Sequence, residues 1–369
     1  MSSPRVEESA RRRAARDRRL RRRRMAAGLG LVAVVVVAIA LLAGGGVGGK
    51  GSPGGSTQKR GAPRARASVR VTGVQTGTLP APVQDAAAAA VGPESFLLMG
   101  GLDQAEGSVA DIVSVTAGAT ASATTSATAS ATATKATRIG TLPTALHDAS
   151  ASLEGGAAYL FGGGVVFSFP EITRVASSGG TQPAGRLPTP ASDVATTVVN
   201  GTVYIVGGYT GQSPLRTILA WRPGEAARVV GTLPKPLRYA AVASTGGEIV
   251  IAGGTSGEAA SREVYRFDPS TGALTTVGLL PSPLTHAAAA SVGATVLVFG
   301  GREASSGSQT RRILAIGPDG KVRTVGALPR PLSDLAAVAI AGHVVLAGGR
   351  DSGGRVQDAI LTMSVEQVR

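Results

Sequence analysis

One unit occurs six times in this chain of 369 residues, and it limits the possible folds more than any other feature. A Leu-Pro pair stands at 79–80, 142–143, 187–188, 233–234, 280–281 and 328–329, and a Gly-Gly pair at 100–101, 162–163, 207–208, 253–254, 300–301 and 348–349. From the Pro to the first Gly is 19 residues in five copies and 20 in the first, and the last five glycine pairs recur at intervals of 45, 46, 47 and 48 residues. A period of this length marks a repeat architecture, whose many turns also account for the 52 glycines.

Each copy reads as strands. After Leu-Pro comes a run of small residues, such as DAAAAAV, DVATTVV or HAAAASV. A turn pair follows, among them Gly155-Gly156, Asn200-Gly201 and Gly246-Gly247, of the kind tight hairpins use for positive φ. Then come FLLM, AYLF, VYIV, IVIA, VLVF and VVLA, each closed by the glycine pair. The alanine run is therefore a first strand despite its helical propensity, which is a weak prior. Around a common axis, small side chains let backbones approach one another. A third strand (TILAW 217–221, EVYRF 263–267, RILAI 312–316) and a fourth (LTTVG 274–278, VRTVG 322–326) complete a unit of four strands, the period of a propeller blade. After the sixth glycine pair only DAILTM (358–363) remains, while VRVTGVQTG (69–77) precedes the first Leu-Pro. The N-terminal strand is expected to complete the last unit and close the ring, which removes free edges.

The glycine pairs closing VYIVGG and VLVFGG, the YRFDPSTG segment and the Leu-Pro before each inner strand resemble the Kelch-repeat family over residues 69–369. The resemblance implies an all-β, six-bladed propeller. The chain departs from the family pattern where an Arg would follow Leu-Pro: Val83, Leu146, Leu237, Leu284 and Leu332 stand there. The Trp before Leu-Pro is missing, and the sole Trp221 lies on a third strand. Galactose oxidase resembles this family in fold, but its copper site needs a Cys thioether and this chain has no Cys. A sugar epimerase also uses six Kelch blades, and no residue here carries its site over. No cofactor is expected.

The net charge of +14 is concentrated at one end. Residues 1–24 hold eleven Arg and three acids, and Lys50, Lys59, Arg60, Arg64 and Arg66 follow, whereas 21 basic and 20 acidic residues lie from 67 onward. Between these groups, AAGLGLVAVVVVAIALLA (26–43) carries no charge. As a helix it spans about 27 Å, close to a bilayer's hydrocarbon thickness. A single transmembrane helix is expected, with residues 1–25 cytoplasmic, 44–68 a flexible Gly/Ser/Pro/Arg tether and 69–369 outside. The alternative is a cleaved signal peptide at Ala38-Ile39-Ala40. A basic arm on a nearly neutral domain signals topology, not nucleic-acid binding. The Ala/Ser/Thr run 119–137 lies between the third and fourth strands of the first unit, either as a disordered loop or as a glycan acceptor.

Five residues past each Pro stand Asp85, Asp148, Asp193, Tyr239, His286 and Asp334, which a closed ring would bring to one mouth of its channel. They are the candidate ligand-binding residues. The competing role is local: each Asp capping its own turn through backbone N–H groups. No catalytic or metal residue is singled out. The expected function is binding of a protein or a cell-envelope carbohydrate. The alternative is an enzyme acting on a sugar at the same mouth, with His286 beside Asp334 or Tyr239 as its acid and base.

Overall fold

The computed structural model describes residues 68–117, 133–257, 259–303 and 305–368. Its described residues form strands and turns only. Among them no helix is long and apolar enough to cross a membrane; the expected span 26–43, the tail and most of the tether lie outside the described residues. The first repeat contributes Ala87–Ala90, Ser95–Met99, Asp111–Thr116 and Lys135–Thr141, paired in that order as an antiparallel four-stranded sheet. The second, third and fourth repeats do the same, as in Ala195–Val199, Thr202–Val206, Thr217–Trp221 and Arg228–Thr232 of the third. The alanine runs are inner strands, as their place in the repeat requires. The Ala/Ser/Thr run follows Asp111–Thr116 and runs into Lys135–Thr141, and its residues 119–132 lie outside the described residues.

The sixth repeat supplies Ala336–Ile340, His343–Ala347 and Ala359–Val368, and its fourth strand is Ser68–Thr78 from the N-terminal end. That strand lies antiparallel to Ala359–Val368 from Ser68↔Val368 to Thr78↔Ala359, with a bulge between Gln75 and Gly77. Its one parallel pairing, Val71↔Gly326, joins it to the outer strand of the fifth repeat. The Thr76 hydroxyl adds a side-chain tie, 2.8 Å from Thr134 Oγ1 of the first repeat and 2.9 Å from Thr362 Oγ1 of the sixth.

The apolar side chains form six clusters, each between neighbouring repeats. Second strands are buried on both faces, so they read as unbroken apolar runs. Phe96 and Leu98 pack toward the sixth repeat, while Leu97 and Met99 pack toward the second. The leucines of the Leu-Pro pairs are buried in the same clusters, and so are Val83, Leu146, Ala191, Leu237, Leu284 and Leu332. Where the family pattern has Arg, this chain has apolar residues that extend each core.

The glycine pairs tie each sheet to the next. The N–H of the second Gly donates to a carbonyl of the following repeat: Gly101 to Leu146, Gly163 to Ala191, Gly208 to Leu237, Gly254 to Leu284, Gly301 to Leu332, and Gly349 back to Val83, all at 2.8–2.9 Å. The first Gly of each pair has positive φ, and a Cβ there would lie 2.0–2.6 Å from that same carbonyl oxygen. A side chain would therefore push neighbouring sheets apart. The hairpin turns follow the expected pattern at Gly155-Gly156, Asn200-Gly201, Gly246-Gly247 and Ala341-Gly342, where both residues have positive φ. Gly92-Pro93 departs from it, because Pro holds φ negative and the strands are joined by the longer loop 91–94.

Candidate functional site

All six candidate residues share one unusual backbone conformation. Asp85, Asp148, Asp193, Tyr239, His286 and Asp334 have φ between +53° and +59°. In that left-handed conformation each N–H donates to the carbonyl of the equivalent residue one repeat earlier. The chain of bonds is closed: Asp148 to Asp85, Asp193 to Asp148, Tyr239 to Asp193, His286 to Tyr239, Asp334 to His286 and Asp85 to Asp334, at 2.7–3.3 Å. Six peptide groups thus form a hydrogen-bonded ring. The expected local role for the aspartates, capping their own turns, is not the one observed. Their peptide groups bind the neighbouring repeats, and the partners described for their side chains are one another, Ser192, Ser333, Tyr239, Arg238, His147 and His286. Asp suits the position because it tolerates left-handed φ.

The ring borders a cavity of about 190 Å³, lined by the six residues and the small side chains of the inner strands. Its acids lie in two hydrogen-bonded pairs, Asp85 with Asp334 and Asp148 with Asp193. Burial is the main cause that pushes all four carboxyls up, Asp148 to about 6 and Asp193 to about 8. The negative charge of Asp148 raises Asp193 further, while the Arg238 guanidinium against Asp193 opposes the shift. Burial outweighs these partners, so the Asp148–Asp193 pair keeps a proton into the neutral range. Four carboxyls meet here, yet among the described residues no group of three or more His, Cys, Asp or Glu could hold a metal ion.

Tyr239 and His286 differ from the other four in shape and in surroundings. Their rings stack, with centroids 3.7 Å apart. The Tyr239 hydroxyl donates to Asp148 Oδ2 at 3.0 Å and accepts from Arg238 Nη2 at 3.0 Å. The Arg238 guanidinium also lies over the rings of Tyr209, at 4.1 Å, and Tyr239, at 4.6 Å. The Arg302 guanidinium is 2.7 Å from His286 Nε2. Burial, first, and then the charges of Arg302 and Arg238 hold His286 well below its ordinary value, so the ring is neutral. Arg238, Tyr239, His286 and Arg302 line a mouth pocket of about 280 Å³ between the fourth and fifth repeats, and Tyr209 lies behind Arg238. Tyr239 and His286 border both this pocket and the axial cavity. Four buried atoms of the residues that line the pocket have no hydrogen-bond partner: Arg238 Nε, which is ion-paired with Asp193, Thr285 Oγ1, His286 Nδ1 and Arg302 Nε.

The six candidates converge, then, but only Tyr239 and His286 reach the mouth pocket. Tyr209, Arg238 and Arg302 lie at this site but outside the six positions that the repeat singles out. Tyr209 and Arg302 occupy the position after the glycine pair, where the other repeats have Leu102, Gly164, Thr255 and Arg350. A comparison at that position would have found them, because it pairs with the residue before each ring position: Ser192 with Tyr209, Arg238 with Thr255, Thr285 with Arg302.

With the sheets and the ring described, comparison with known proteins adds two findings. The Kelch motif family matches residues 190–225 and 236–273, the third and fourth repeats. Those two repeats match the Kelch motif. The solved structure described as "Structure of YjhT" aligns with a TM-score of 0.65 over 78% of this chain and 99% of that one, at 16% identity. At that identity the likeness is one of fold. It is one of 578 matching chains of solved structures, so the fold is too widely used to name a ligand. No curated protein matches the chain.

Proposed function

We propose that this chain is a six-bladed Kelch propeller, held outside a membrane by residues 26–43, that binds its ligand at the mouth between the fourth and fifth repeats. The six inter-repeat cores and the closed peptide ring support six blades. The observation that carries the binding reading is the set of unpartnered buried polar atoms around the mouth pocket. Buried polar groups are nearly always hydrogen-bonded in folded proteins, and a ligand would complete this set. The ligand class is a carbohydrate of the cell envelope or a protein. The protein reading draws support from the loop tip Val165-Val166-Phe167, whose residues are 48, 80 and 77% exposed. That tip adjoins the mouth, since Ser168 Oγ bonds Ser192 Oγ and the Tyr209 carbonyl.

The sole Trp221 is 1% exposed, so its fluorescence reports unfolding. Melting the full chain in mild detergent with envelope sugars should identify stabilising ligands, and His286→Ala should abolish the stabilisation. A pull-down from envelope extract that fails with Phe167→Asp would instead assign a protein partner. No effect of either change on any binding would sink the mouth reading. A second reading, catalysis on a sugar, draws on the carboxyl pair held in the neutral range beside Tyr239. It predicts turnover of a bound sugar that His286→Ala removes while the melting temperature holds.

A further inference from the structure

We propose that the second repeat is a homodimer surface, on which the tip Val165-Val166-Phe167 of each copy seats in an apolar groove of the other. This goes beyond the mouth reading and does not rest on it. In five repeats the loop after the glycine pair carries polar or small residues at its tip: Gln104-Ala105-Glu106, Thr210-Gly211-Gln212, Ser256-Gly257, Ser305-Ser306-Gly307 and Ser352-Gly353-Gly354. The second repeat breaks that pattern with three exposed apolar residues in a row. Its tip is a tight hairpin: Gly164 pairs with Ser168, and the Val165 N–H donates to the Phe167 carbonyl at 3.2 Å. A tip already held in one shape loses little freedom on binding.

The groove begins two residues farther along the chain. Phe169 and Pro170 line it with Leu142, Pro143, Leu160 and Pro183, and its volume of about 820 Å³ leaves room for a three-residue tip. Among the described residues that line it, Glu171 and Arg186 alone are charged, and they pair with each other at 2.9 Å. The tip, within GGVVFSFP (163–170), carries no charge. Groove and tip are thus matched in polarity and in net charge, and two copies of this surface do not repel. Both features lie on one repeat, so a two-fold axis can bring each tip to the other copy's groove, as an isologous contact requires. Three such side chains leave on the order of 300 Å² of apolar surface in water. The two-fold doubles the tip and groove surface covered, to about 1,200 Å² in total, the lower end of specific interfaces. Association should therefore depend on concentration.

The test uses the full chain in mild detergent. Sedimentation should show a monomer–dimer equilibrium, weakened at least about tenfold by Phe167→Asp in the tip or by Thr173→Arg in the groove. Mixing these two variants should give heterodimers tighter than either variant's own dimer, because one intact tip then meets one intact groove. Trp221 melting checks that each variant is folded. The chain has no Cys, so single thiols report the contact without either disruptive change. Val166→Cys chains mixed with Gln182→Cys chains should form a mixed disulfide under copper phenanthroline. Val166→Cys mixed with Val229→Cys, on the outer strand of the third repeat, should not. Chains that stay monomeric at every concentration overturn the proposal, even where Phe167→Asp removes capture of another protein. So does a dimer that survives Phe167→Asp, or a mixed disulfide no faster than the Val229 control. A dimer that appears only after residues 119–132 are deleted also overturns it, and assigns the groove to the chain's own loop.

Discussion

Asp148 and Asp193 sit within one hydrogen-bonded pair at the ring, and their burial links stability to pH. Their folded values, about 6 and about 8, stand above the ordinary carboxylate value of 3.8. Between these limits the folded chain keeps protons that the unfolded chain has released. Stability therefore falls as pH rises through the window. His286 acts in the opposite sense: its value is lowered from 6.5, so it costs stability as pH falls below 6.5. From pH 6.5 to 8 the unfolded imidazole is at most half protonated, so His286 offsets only part of the carboxyl effect. The protein should thus melt lower at pH 8 than at pH 6.5, by the equivalent of about 1–2 kcal/mol for one proton. Asp193→Asn should flatten that slope, as thermal melts across the range would register. A slope unchanged in the variant would place the proton on another group.

At the scale of the strand, the glycine pair makes the sharpest prediction. Gly253 has φ +66°, and a Cβ there would lie 2.3 Å from the Leu284 carbonyl oxygen. Gly246 has a similar φ of +60°, and a Cβ there would meet nothing within 4 Å. Gly246→Ala should cost about 1–2 kcal/mol, the left-handed penalty alone. Gly253→Ala should cost about 2–4 kcal/mol, because it also forces the fourth and fifth repeats apart. Equal denaturant midpoints for the two variants would mean that the sheets yield easily at this contact. A second device recurs at the third strands. Arg216, Arg262 and Arg311 each donate Nε to the carbonyl of the next repeat's Leu-Pro leucine, at 2.8–2.9 Å. These arginines read as surface charge in the sequence, yet they fasten a loop.

For the whole molecule, closure depends on eleven residues from the wrong end of the chain. Ser68–Thr78 supplies the outer strand of the sixth repeat, and Val71 is buried against that core at 2% exposure. Without it, Ala359–Val368 becomes a free edge. Removing residues 1–79 should lower the melting temperature and expose residues 336–368 to amide exchange before the third and fourth repeats. Uniform exchange across all repeats would show that the ring unfolds as one unit and that closure is not its weak point.

The sequence by itself determined the repeat, the strand order within each unit and the donation of the N-terminal strand. Those follow from periodic spacing and from the unbroken apolar runs that strands buried between two sheets show. It also singled out the six positions that meet at the axis, because equivalent positions in a closed ring must converge. Tertiary structure alone decided what those positions do. Left-handed φ and the peptide ring depend on how far apart neighbouring sheets stand, a distance that no single repeat encodes. The mouth pocket was hidden for the same reason. Tyr209, Arg238, Tyr239, His286 and Arg302 come from three different repeats. They become one site only when their sheets pack side by side and share the cost of burying their charges.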